Sequence, residues 1–459
     1  MNSDDNSAKS ARAPQLAARL GLFDATMIVM GGIIGSGIFI NSYVVARQVR
    51  TPALILGAWV IGGVVALFGA FIYAELAARL PRAGGQYAYL REAYHPALAF
   101  LYGWVLLLVI QTGGMAAVAV TFAKYLRVLV VVPVSEAWVA AIVLAGLAII
   151  NCLGVRAGSA VQSALMVLKI LAIAALVAIG LTSAAPAASG VFTRPILDRP
   201  VSLDLVTAIG AALTPVLFAY GGWQTANFVA AEIREPSRNL PRALVLGVIG
   251  VILLYLAVNL VYVRVLGPSG LAASTTPATD VMQRALGAAG AKFIALGITI
   301  STLGFLSQSV LTAPRVYFAM AQDGLFFRSV AWVDPRHRVP AVAILLQAVA
   351  AMVIALTGRY EQILNYVVSM DFIFFGLTAT CLFVFRRRDS SGADSRAAAP
   401  ATYRAPGHPY TTIVFIAISW FVVANTIYKY PGNTLAGIGI LLAGIPVYYI
   451  WRWRNAARS

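Results

Sequence analysis

Two glycine clusters interrupt apolar runs where a membrane-spanning helix would least accommodate them. One reads Met30-Gly31-Gly32-Ile33-Ile34-Gly35-Ser36-Gly37-Ile38-Phe39, the other Phe218-Ala219-Tyr220-Gly221-Gly222-Trp223. Glycine costs a helix interior about 1 kcal/mol against alanine. In lipid, unwound backbone survives only inside protein or beside a cavity. Unwinding over Ile34, Gly35, Ser36 and Gly37 would free N–H groups at the start of an outer half-helix. A half-helix N-terminus carries roughly half a positive charge, which suits a carboxylate. Gly35 and Gly37 let a ligand reach the backbone, and the Ser36 hydroxyl adds a donor. The second break ends a half-helix at Ala219, Tyr220 and Gly221, leaving carbonyls that an ammonium group can take. The four-residue spacing of Gly31 and Gly35 would alone fit close helix packing equally well. A second interrupted span in the corresponding place favours a binding site.

Two ionisable side chains add to the backbone signals. Lys169 lies 13 residues after Arg156, or roughly 20 Å along a helix. That is too deep for snorkelling, which works near helix ends. An intramembrane lysine is a functional candidate, with a fixed structural ion pair as the plainer reading. Asp371 falls in the middle of another apolar run. A buried carboxylate there binds a cationic side chain or titrates and couples to protons. The plainer reading pairs it with a hydroxyl such as that of Tyr366.

The elements that must hold these groups are membrane spans. The chain has 459 residues, 60% hydrophobic and 11% charged, with mean hydropathy +0.83. Soluble domains carry about 25% charged residues. The net charge of +17 does not form a stripe for nucleic acid; it sits in short loops, where it meets anionic lipid headgroups. Cys152 and Cys381 fall inside apolar runs, and His95, His337 and His408 fall in loops. No metal or cofactor site and no nucleophile–base constellation is expected in the membrane core, which disfavours an enzyme. Arginine supplies nearly all the positive charge, a bias in keeping with a GC-rich bacterial genome.

About twelve runs are long enough to span. They cover 22–47, 53–79, 97–125, 137–154, 157–183, 204–231, 242–266, 291–319, 340–357, 361–385, 410–428 and 433–451. With the N-terminus inside, basic residues fall in cytoplasmic over outer loops by roughly two to one, so both termini are expected in the cytoplasm. Residues 1–20 read as a disordered tail without a signal peptide, 21–385 as a ten-span transport core, 386–409 as a cytoplasmic loop, and 410–459 as two further helices with a tail. The core divides into five plus five, with a glycine break in the first span of each half. An odd number of spans per half makes any repeat inverted.

At these residues the chain resembles the amino acid–polyamine–organocation superfamily, and most of all its L-type amino acid transporter branch with its bacterial members. The matching stretches are Ile34-Gly35-Ser36-Gly37-Ile38-Phe39, Tyr73-Ala74-Glu75-Leu76, Pro81-Arg82-Ala83-Gly84-Gly85-Gln86-Tyr87-Ala88-Tyr89 and Phe218-Ala219-Tyr220-Gly221-Gly222-Trp223. The last runs on to Glu232-Ile233-Arg234-Glu235-Pro236-Ser237-Arg238-Asn239-Leu240-Pro241-Arg242-Ala243. The resemblance extends from about residue 20 to 385. It implies an all-α membrane protein with a five-plus-five inverted repeat (LeuT-like), discontinuous helices one and six, and alternating access. It makes Phe218 an aromatic gate over the substrate, and leaves Trp223 as packing. It places Lys169 where sodium-coupled relatives hold a cation, bridging span-one carbonyls and the Ser301 hydroxyl. It makes 82–94 an inner gate helix whose Tyr87 and Tyr89 plug the cytoplasmic path; the plainer reading is an amphipathic loop helix. Glu75, Arg82 and Glu232 are then gate charges or solvated residues, and Arg386-Arg387-Arg388 an anchor for topology and lipid. Eukaryotic members join a single-span partner through a cysteine in the outer loop after span three. The loop 126–136 has none here, so no disulfide-linked heavy subunit is expected.

The resulting expectation is a bacterial inner-membrane protein that exchanges L-amino acids, neutral ones first, without sodium. Proton-coupled symport through Lys169 or Asp371 is the rival mode. A receptor that binds without transporting is the rival class; it would carry a signalling domain or a long tail, where this sequence stops soon after its last span. A channel suits an occluded backbone site less well.

Overall fold

The computed structural model describes residues 20–182, 195–197, 200–357, 360–390, 402–429 and 431–456. The expected tail 1–20 lies outside these apart from Leu20, as does 391–401 of the expected loop. Among the described residues sixteen α-helices follow one another. They are α1 (Leu22–Ile33), α2 (Gly37–Gln48), α3 (Pro52–Arg79), α4 (Gln86–Ala93), α5 (Pro96–Val105), α6 (Gln111–Leu129), α7 (Glu136–Cys152) and α8 (Val155–Thr182). Then come α9 (Leu203–Tyr220), α10 (Pro236–Ala273), α11 (Pro277–Thr312), α12 (Pro314–Gln322), α13 (Ala341–Thr357), α14 (Tyr360–Ser390), α15 (Tyr410–Lys429) and α16 (Pro431–Ala456). No strand occurs among the described residues; a single bridge joins Leu20 to Ile233.

Local sequence explains the starts. Thr51, Ser135 and Ser202 accept the amides of Leu54, Trp138 and Leu205, capping α3, α7 and α9. Pro52, Pro96, Pro236, Pro277 and Pro314 occupy first turns, where a missing N–H costs nothing.

Among the described residues, 10 segments are long and apolar enough to cross a membrane. The expectation of about twelve differs by α7 and α13, apolar helices of 17 residues each. At 1.5 Å per residue they are about 25 Å long, the lower bound for a span. The stretch 267–290, expected as a loop, is largely helical. Gly267 (φ 67°) and Gly287 (φ 66°) turn the chain at each end, with helix between them except at 274–276. The start of the expected loop 386–409 belongs to α14, which runs to Ser390.

The core gathers around the broken helices. α1 packs on α8, α10 and α11; α2 packs on α9 and α10; α3 crosses α10. At the face where α1 begins, the backbone of Leu20 pairs with Glu232 and Arg234 at 2.9 Å each. α4 lies under the same face, its Tyr87 and Tyr89 buried.

Candidate functional site

Both apolar runs are broken where the glycines cluster. α1 stops at Ile33, residues 34–36 are irregular, and α2 begins at Gly37. In the first turn of α2 the Phe39 amide is taken by the Ser36 carbonyl at 3.1 Å; the amides that start a helix lack an acceptor four residues earlier. α9 stops at Tyr220, Gly221 is extended, Gly222 is left-handed at φ 105°, and a 3₁₀ helix follows over Trp223–Glu232. The breaks touch: a Cβ on Gly222 would lie 2.0 Å from the Gly32 oxygen, and one on Gly37 would lie 2.8 Å from Ala219. Only glycine permits that approach. Between them lies a cavity of about 710 Å³, open space at its mouth included. It is lined by Gly35, Ser36 and Gly37 of the first break, Phe218, Ala219 and Gly221 of the second, and Asp371 of α14.

The Lys169 ammonium is fully buried and donates to the Ile34 carbonyl at 2.5 Å. Ser301 Oγ donates to the neighbouring Gly35 carbonyl at 3.4 Å. Gly304 lies beside the ammonium, where a Cβ would sit in ordinary contact 3.6 Å from Nζ. The two carbonyls of the first break thus meet a cation and a hydroxyl from two other helices.

The amino acid permease family model matches residues 20–450. The serine/threonine exchanger SteT of Bacillus subtilis (strain 168) is 30% identical over 467 residues, covering 100% of both chains. The chain belongs to the amino acid permease family. The large neutral amino acids transporter small subunit 2 of Homo sapiens is 28% identical, covering 95% of this permease and 80% of itself. The b(0,+)-type amino acid transporter 1 of Oryctolagus cuniculus is 31% identical, covering 82% and 77%. The permease is a transporter, not an enzyme.

The remaining sequence candidates fall into three groups. Phe218 is half-buried and faces the cavity with Phe305. Tyr220 points away from the cavity into an aromatic group with Trp59 and Tyr255, at centroid distances of 5.8 and 5.1 Å. Tyr87 and Tyr89 sit at the α1-start face: Tyr87 donates to Asp323 at 2.8 Å and Tyr89 to Asn227 at 3.1 Å. Burial, then the Asp323 carboxylate, push the Tyr87 hydroxyl well above its ordinary pKa, so it stays a donor. Trp223 stacks on Phe375 at 5.3 Å and meets Tyr73 edge-on at 4.7 Å. The side chains of Arg156 and Tyr366 lie outside the described residues.

The charges left undecided by sequence separate cleanly. Glu75 is buried, pairs with Arg79 at 2.8 Å and with Arg386 at 2.6 Å, and accepts the Ala405 amide at 2.7 Å. Arg386 is therefore an ion-pair partner and not only an anchor, because its helical position turns it toward α3. Glu232 pairs with buried Arg315. Arg82 is exposed.

Sequence reasoning missed several residues at the breaks and cavity of the permease. Thr225 Oγ1 donates to the Gly222 carbonyl at 2.6 Å and accepts Gln308 Nε2 at 2.7 Å. Gln111 follows a π-helical turn over Leu106–Ile110 and lines the cavity. A mid-span glutamine was the available signal. Tyr255 had none: its hydroxyl lies 3.2 Å from both the Ile33 and Ala219 carbonyls, one from each break. It carries one proton, so it donates to one at a time and ties the breaks together. A net hydrogen bond contributes about 1 kcal/mol. Tyr255→Phe is expected to reduce uptake roughly fivefold with insertion unchanged, measured in proteoliposomes per inserted molecule.

Proposed function

We propose that this permease exchanges L-amino acids across a bacterial inner membrane by alternating access, without sodium. The substrate carboxylate faces the α2 first-turn amides and its ammonium faces the α9 carbonyls. The apolar walls at Phe218, Phe305, Phe372 and Phe375 accommodate neutral side chains. The observation that carries this reading is the meeting of both breaks on one cavity, at Gly32 and Gly222. We take α1–α2 and α9 with its 3₁₀ extension as spans one and six of a twelve-span, five-plus-five inverted repeat. Both termini then lie in the cytoplasm, and α4 with Tyr87 and Tyr89 is the inner gate. Lys169 supplies at Ile34 the positive charge that a bound sodium ion would otherwise bring.

Exchange is expected to need amino acid on both sides. Proteoliposomes loaded with an unlabelled L-amino acid mixture should accumulate labelled mixture from sodium-free buffer. Empty ones should not, and a pH gradient should change neither result. Equal uptake into empty vesicles under an inward proton gradient would replace exchange with proton symport.

A further inference from the structure

Asp371 is the only carboxylate among the described residues lining the central cavity, and no lysine, arginine or histidine lines it with Asp371. Its Oδ1 is buried and has no hydrogen-bond partner. Three more lining groups, Ser36 Oγ, Ser309 Oγ and Gln308 Oε1, also lack partners, while Gln308 Nε2 is committed to Thr225. The lining described here therefore holds unpaired polar oxygens and no charged donor. A buried acceptor left without a donor is costly, and a ligand nitrogen would supply one. The residues beside Asp371 on its helix, Val367, Val368, Phe372 and Phe375, are apolar and line the same cavity. An apolar wall with one charged acceptor matches a methylene stem tipped with a cation.

We propose that Asp371 sets side-chain specificity and selects amino acids whose side chain ends in a positively charged nitrogen, of the lysine, ornithine or arginine type, over apolar chains of equal length. This ranks cationic side chains ahead of the neutral set of the proposed function, and it rests on that reading for the placement of the carboxylate and ammonium at the two breaks. The substrate α-groups are then held by backbone, and the side chain is read by one carboxylate.

The test compares L-lysine with L-norleucine, which keeps most of the methylene stem and lacks the side-chain ammonium. Purified full-length protein is titrated with each, alongside L-ornithine, L-arginine and L-leucine, and ligand-dependent thermal stabilisation gives the affinities. L-Lysine is expected to bind at least about tenfold more tightly than L-norleucine. Asp371→Asn is expected to bring the two within about threefold, and Asp371→Leu to reverse the order. A wild-type protein that binds L-norleucine as well as L-lysine overturns the proposal, and so does an Asp371→Asn protein that keeps the full preference. The wild-type ratio decides even where a variant fails to insert. Failure of every amino acid to bind would instead remove the transport reading itself.

Discussion

Replacing Lys169 with alanine is expected to cut uptake between about tenfold and hundredfold while leaving the protein inserted. The Ile34 carbonyl it serves lies in the break, where no helical N–H reaches it. An acceptor left buried without a donor costs about 1–3 kcal/mol, which corresponds to that range if the lost contact holds the transport-competent shape of the break. Ser301 is no substitute, because its hydroxyl is directed to Gly35. A purely structural role and a transport role predict different readouts. The former lowers the amount of folded protein, the latter the uptake of each folded molecule. Counting inserted molecules beside the rate separates them. Wild-type uptake per molecule from Lys169→Ala would remove Lys169 from the mechanism.

How much could be read without coordinates depended on whether the signal was local. Glycine clusters reveal helix breaks because the cost of glycine acts on the residue itself. Ile34–Gly37 and Ala219–Gly221 accordingly lie where the helices stop. Lys169 stood out because a lysine deep in an apolar run has no neutral explanation. Tyr255 did not, since a tyrosine in a span reads as packing until its hydroxyl is seen between two carbonyls 3.2 Å away. Arg386 looked like an anchor because a basic run at a helix end has that common use. Its partner Glu75 lies 311 residues earlier. The twelve expected runs include α7 and α13, whose 17 residues sit at the edge of what a bilayer requires. Tyr220 was placed by sequence at the end of a half-helix with Ala219 and Gly221. Its backbone is there, but its ring packs on Trp59 and Tyr255.

The largest stability loss is expected from Glu232→Ala. The carboxylate holds Arg315 through two bonds, Nε to Oε1 at 2.8 Å and the second guanidinium nitrogen to Oε2 at 3.3 Å. Arg315 is fully buried, and its remaining contact is the Leu311 carbonyl. Removing the glutamate would leave a guanidinium in the interior with no countercharge among these partners. Breaking one side of a buried pair typically costs about 3–5 kcal/mol. The loss would not stay local, because the Glu232 backbone also accepts the Leu20 amide at 2.9 Å and so ties the residues leading into α1 to the end of the 3₁₀ segment. An exposed pair supplies the control. Arg82 and Glu92 approach only to 3.8 Å, with side chains 61% and 45% exposed, and such pairs contribute about 1 kcal/mol at most. Thermal unfolding in detergent should rank Glu232→Ala far below Arg82→Ala. Glu232→Leu combined with Arg315→Met should recover much of the loss, since the penalty comes from the stranded charge more than from the missing attraction. Equal unfolding temperatures for Glu232→Ala and Arg82→Ala would mean that water or another group reaches Arg315 in the membrane, and the pair would then contribute little to holding that face together.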